Sequence, residues 1–156
     1  MAEGPFVPSG FVVPLALETE HFRLEPLGPQ HNDSDYAAWS SSLEHIRATP
    51  GWETSSWPDD RSLADNLRDL QGHANDFERR AGFTYTVLDV ATGDVIGCVY
   101  IYPDKSKEHD ARVLSWVRAS RPDLDAPLWQ AVTDWLAEEW PFEQVAYAER
   151  ERVSGS

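Results

Sequence analysis

At 156 residues, with 41% hydrophobic and 12% aromatic residues, the chain is sized for one domain around one core. Thirteen Lys and Arg against 27 Asp and Glu give a formal charge of −14, a field that repels phosphate backbones and anionic lipid and so argues against nucleic-acid and membrane partners while attracting a cationic amine. No stretch approaches the roughly 20 apolar residues that span a bilayer, and Met-Ala-Glu-Gly-Pro lacks the basic segment and apolar core of a signal peptide, so the expected location is the cytoplasm.

Residues 1–20, rich in Pro and Gly at the start, are expected to form an extended arm that packs through its apolar residues and can add a strand at a sheet edge. His21 to Leu27 alternates and stops at Pro26 and Gly28, the pattern of a strand. Asp33 is placed to cap a helix whose apolar face is Tyr36, Trp39, Leu43 and Ile46, ending by Pro50-Gly51. The following loop carries Trp52 and Trp57 where polar residues are usual, and Asp59 or Asp60 is expected to open a second helix with Leu63, Leu67, Leu70, Ala74 and Phe77 as a core stripe.

Phe83–Val90 and Val95–Tyr102 read as strands joined by the hairpin turn Ala91-Thr92-Gly93-Asp94. Cys98, alone and among apolar strand residues, reads as an inert core thiol. Ala111 to Ala119 is a further strand, the loop Ser120–Pro127 follows, and Leu128, Trp129, Val132, Trp135 and Leu136 recur at helical spacing. A strand feeding a helix N-terminus offers orphan N–H groups and a dipole to an anion, so this stretch is a candidate cradle. Beyond Pro141, Gln144–Ala148 reads as one more strand. The expected organisation is the arm over residues 1–20, one mixed α/β domain over 21–150, and a short tail over 151–156. The five histidines show no metal-binding spacing, so no metal site is expected.

The element order, with the phrases Phe22-Arg23-Leu24-Glu25-Pro26-Leu27, Gly93-Asp94-Val95-Ile96-Gly97 and Ser115-Trp116-Val117, resembles the GNAT superfamily of acyl-CoA-dependent N-acyltransferases, over about residues 20–148. The resemblance implies a twisted, mostly antiparallel sheet of five or six strands with three helices. The usual last helix and C-terminal hairpin would be lacking. It also implies a splay between two strands that takes the pantetheine arm of acetyl-CoA, with an acceptor amine entering opposite. On this resemblance Trp116, Val117, Arg118, Arg121 and Ala126 are the expected cofactor contacts. Of the family's pyrophosphate loop, Gln/Arg-x-x-Gly-x-Gly/Ala, Arg121 and Ala126 are present, while Leu124 and either Asp123 or Asp125 stand where glycines belong. Acids there face a phosphate of like charge, at a cost of several kcal/mol for charges about 4 Å apart.

Acyl transfer to an amine needs a free nucleophile, a polarised carbonyl and a proton for the departing thiolate. Tyr147 and Glu149, at the last strand's end beside the splay, are the expected proton donors or acceptors; the competing reading is packing for Tyr147 and a solvated charge for Glu149. Trp52 and Trp57 suit an amine through cation–π attraction, or else they lid the core or bury an oligomer interface. The expected function is therefore an acetyl-CoA-dependent N-acyltransferase-like protein acting on a small-molecule or peptidyl amine. The alternative is a GNAT-like binding or oligomerisation module without acyl-CoA. The arm, or a second copy of the chain in a homodimer, is expected to cover the open sheet edge.

Overall fold

A computed structural model describes residues 5–53 and 62–150. They form a six-stranded sheet in which the strands lie in chain order: β1 Leu17–Glu18, β2 Phe22–Pro26, β3 Phe83–Asp89, β4 Val95–Tyr102, β5 Ala111–Val117 and β6 Val145–Tyr147. Every neighbouring pair is antiparallel except β5 and β6, which run parallel. The exception follows from the connection: β5 leads into helix α4, Asp125–Glu139, and a crossover helix returns the chain in the same direction. Gly93, at φ +79°, supplies the left-handed residue of the β3–β4 turn. At Gly97 a Cβ would run into the Trp116 carbonyl oxygen, so glycine lets β4 and β5 close up.

Two cores sit on the two faces of this sheet. One packs α4, through Leu128, Val132, Trp135 and Leu136, against Val87, Val99, Val113 and Val117. The other packs Trp39, Ile46, Trp52 and Leu70 against Cys98 and Trp116. Cys98 is fully buried and its thiol is pushed well above its ordinary range by that burial, in keeping with an inert core residue.

The helix expected after Asp33 is divided into α1, Asn32–Ser40, and α2, Leu43–Arg47. Two adjacent serines break it: Ser41 Oγ donates to the Ala37 carbonyl and Ser42 Oγ to that of Ala38, and Ser42 leaves helical geometry at φ −132°. Helix α3 covers Leu63–Glu78, and its N-cap is Ser62, whose hydroxyl accepts from the Asp65 N–H while Asp65 accepts from the Ser62 N–H. Asp59 and Asp60, the caps expected from sequence, lie outside the described residues, as does Trp57. The α3 stripe buries Leu70 and packs Phe77 on the core as expected, but Leu63 at its start is exposed and Asn66 is buried beside it.

The arm does add an edge strand, but β1 pairs with β2, at the opposite side of the sheet from β6. The rest of the described arm closes one end of the core, Phe6 stacking on Phe83 and Phe142 and Phe11 packing on Trp140. Its expected role as cover for the β6 edge is thereby corrected, because its apolar residues are drawn to the aromatic end of the core. Among the described residues no helix is long and apolar enough to cross a membrane.

Candidate functional site

Strand β5 separates two features. The Arg118 N–H donates to the Ile96 carbonyl, so Trp116 and Leu114, in step with it, turn their backbones to β4. Val113, Ser115 and Val117 therefore turn theirs to the other side, toward β6. Pairing with β6 stops at Val113 and Tyr147, and beyond that point the two strands part. The splay that the family resemblance implies would open here.

Arg150 occupies its mouth. Its side chain is 3% exposed; Nη2 donates to the Ser115 carbonyl at 2.9 Å, Nη1 to that of Ala148 at 2.7 Å, and Nε to Asp125 Oδ2 at 2.8 Å. The guanidinium thus ties β5, the segment just after β6 and the first residue of α4 together, with its charge paired as burial demands. Tyr147 adds to the same cluster: its hydroxyl lies 2.6 Å from Ser115 Oγ, its ring is 5.8 Å from the Arg150 guanidinium carbon, and burial raises its pKa, so it holds its proton at neutral pH. Glu149 is exposed and borders a groove between α4 and β6.

The loop before α4 is held by its own side chains. Arg121 meets Asp89 at 2.9 Å and Asp123 at 3.3 Å, and its half-buried guanidinium is committed to those two carboxylates. The Arg121 hydrogen bond holds the Asp123 carboxyl below its usual range. Ala126 lies in the first turn of α4. Arg118 donates to the Val95 carbonyl at 3.3 Å, and the Trp116 indole to the Tyr100 hydroxyl at 3.0 Å, within the core away from the splay.

Across the sheet lies a cavity of about 1020 Å³ between α1, α3 and strands β4 and β5. Trp52, Tyr100, Leu70 and Leu114 supply apolar walls. The Trp52 ring meets Tyr100 edge-on at 5.5 Å, and its indole N–H donates to the Ser115 carbonyl at 2.9 Å. A single carbonyl is therefore reached by Trp52 from the cavity and by Arg150 from the splay.

Three polar groups of the cavity went unrecognised in the sequence. Asp35, 4% exposed, accepts from Asn66 Nδ2 at 3.1 Å, and no cation among the described residues pairs with it. Desolvation raises its pKa to about 6 against the Asn66 hydrogen bond. Asn66 is itself fixed, donating to Asn32 Oδ1 at 2.9 Å and accepting from the Trp39 indole at 3.1 Å. The third is His73. Tyr102 gives its one proton to Asp76 Oδ2 at 2.9 Å, so its oxygen accepts from His73 Nδ1–H, also at 2.9 Å. Thr84 Oγ1 lies 3.0 Å from the same nitrogen; with Nδ1–H donating to these two oxygens Nε2 is left as the proton acceptor, and burial lowers the His73 pKa. Helical spacing is the signal that could have found this face: Asn66, Asp69, Leu70 and His73 share it.

In the turn before β5, Asp104 and Asp110 are engaged locally: Asp104 accepts from Ser106 and His109, and Asp110 from the amides of Glu143 and Gln144, anchoring the start of β6.

No protein-family model and no curated protein sequence matches the chain. Solved structures do. The ribosomal-protein-S5-alanine acetyltransferase from Vibrio fischeri superimposes with a TM-score of 0.60 at 14% identity, over 79% of this chain and 67% of that one. The chain has the GNAT fold. RimL, a ribosomal L7/L12 alpha-N-protein acetyltransferase, matches at TM-score 0.61 and 13% identity, over 86% of this chain and 70% of that one. The microcin C7 self-immunity acetyltransferase MccE, in complex with acetyl-CoA and AMP, matches at 0.60 and 11%, over 81% and 67%. The chain therefore spans about two thirds of the length of these GNAT-fold enzymes.

Proposed function

We propose that the chain is an N-acyltransferase-like protein that receives a small-molecule or peptidyl amine in the cavity beside β5. The observation that carries this reading is the shared Ser115 carbonyl: the amine cavity and the splay back onto one residue, as transfer between two substrates requires. In the cavity, Asp35 attracts an ammonium group, Trp52 and Tyr100 offer ring faces to it, and His73 Nε2 is the neutral group suited to take its proton. On the splay side the Val117 N–H faces the gap, and Tyr147 keeps a proton beside Ser115. The acidic surface favours cationic partners.

A second reading, a GNAT-like binding module that has given up acyl-CoA, draws on Arg150. Arg150 bridges Ser115 and Ala148 at the mouth of the splay, and Arg121, Asp123 and Asp125 offer a phosphate two carboxylates and a cation already engaged. A thermal-shift titration with acetyl-CoA, on the native chain and on Arg150→Ala, separates the two. Stabilisation of the native chain supports the transferase reading; at about 100 times the dissociation constant it amounts to roughly 2.7 kcal/mol. Stabilisation of the variant alone makes Arg150 the residue that withholds the cofactor. No shift in either at millimolar acetyl-CoA leaves the binding module.

A further inference from the structure

The cavity has two chemically different ends. At the inner end Asp35 is nine-tenths buried, lines the cavity and has no cationic partner among the described residues. Burial pushes the Cys98 thiol and the Tyr100 hydroxyl of β4 up, and the nearby Asp35 carboxylate adds to both. At the outer end the rim carries Lys105 and Arg112, and no carboxylate among the described residues pairs with either. Arg112 sits opposite Tyr102 in the strand register. Because Cys98, Tyr100 and Tyr102 alternate along one face of β4, the two ends lie roughly 10 Å apart, at about 3.4 Å per strand residue.

The wall between them is apolar and aromatic: Leu70, Leu114, Trp52 and Tyr100. In a chain carrying −14 overall, two basic residues without carboxylate partners among the described residues thus stand together at one rim. A simple amine would use the inner end and leave this rim idle. A third rim group, Asp104, is held ionised by hydrogen bonds from Ser106 and His109, so that with the two cations the rim keeps one net positive charge.

We propose that the cavity binds a zwitterionic ligand of about tripeptide length, its ammonium on Asp35 and its carboxylate at Arg112 and Lys105, with an apolar side chain against Trp52 and Tyr100. An extended tripeptide places its termini roughly 10 Å apart, at about 3.3–3.6 Å per residue. The volume of about 1020 Å³ is ample for it. This rests on the amine-binding reading above and adds the second charge.

Calorimetric titration of the full chain with Ala-Ala-Phe, its N-acetyl derivative, its C-terminal amide and phenethylamine tests each end separately. The free tripeptide is expected to bind most tightly. Acetylation should weaken binding about thirtyfold or more, since it leaves the buried acid without its partner. The amide should bind about fivefold more weakly, as expected for a solvent-exposed pair. Asp35→Asn should erase the penalty of acetylation, and Lys105→Ala with Arg112→Ala should erase the penalty of amidation, with circular dichroism confirming that each variant is folded. If the amide and phenethylamine bind as tightly as the free tripeptide, the two-ended ligand is wrong and the amine reading survives. If the acetylated tripeptide binds as tightly as the free one, or if none of the four binds, both fall.

Discussion

The two sides of β5 treat a buried charge in opposite ways. On the splay side, Arg150 is buried with its partner in place: Asp125 neutralises it and two carbonyls take its remaining donors. On the cavity side, Asp35 is buried with only an amide for company. A charge buried with its counter-ion holds a structure shut, while one buried without is a cost that a ligand can relieve. The first arrangement reads as a clasp and the second as a receptor.

The largest effect should come from breaking the clasp. Asp125→Ala leaves the Arg150 guanidinium buried without its counter-ion and should cost about 3–5 kcal/mol in denaturant unfolding, whereas Asp125→Ala combined with Arg150→Met should recover much of that loss. If the two single substitutions instead add, the clasp is not a unit.

Asp35→Asn should act in the other direction. The Asp35 carboxyl is raised from 3.8 to about 6 in the fold. Between those values the folded chain keeps a proton that the unfolded chain has released, so this group's contribution to stability is greatest below pH 3.8 and falls as pH rises through 6. His31 works against the shift and Asp69 with it, and both act through space less than desolvation does. The neutral variant should therefore be more stable than the native chain by about 1–3 kcal/mol at pH 8 and by little at pH 4, read from urea midpoints at the two pH values. Equal midpoint shifts at both would mean that Asp35 is not the desolvated acid described. A more stable protein that loses its ammonium ligand would be the signature of a site maintained at the expense of stability.

A smaller effect tests whether the two sides are independent. Ser62 caps α3, which carries Asn66 and His73 into the cavity wall. Ser62→Ala should lower Tm by about 2–4 °C and speed amide exchange in the first turns of α3, with the amides around Arg150 unchanged. Faster exchange on both sides would show the clasp and the cavity to be one cooperative unit.

Local chemistry was enough for much of the architecture. Alternation marked β2 through β5, the Thr92-Gly93-Asp94 turn fixed a hairpin, and the spacing of Leu128, Trp129, Val132, Trp135 and Leu136 placed α4, because these patterns depend on neighbours within a few residues. The acids after Arg121 were visible as departures from a glycine loop, and the structure adds that one of them, Asp123, grips the arginine together with Asp89 of β3. The break at Ser41 and Ser42 was missed because an apolar stripe continued across it, and backbone competition from hydroxyls leaves no mark on that stripe.

What the tertiary structure alone decided is where the charges went. Asp35, His73 and Arg150 are each ordinary in sequence: one polar residue within a helix, one histidine without a partner at any motif spacing, one arginine in a run of alternating charges. Their significance comes from contacts across 31 residues for Asp35 and Asn66, 29 for His73 and Tyr102, and 35 for Arg150 and Ser115. Periodicity reports which face of an element is buried, because burial is a property of the element. It cannot report whether a buried charge meets its opposite, because the partner is brought there by folding and by nothing nearby in the chain.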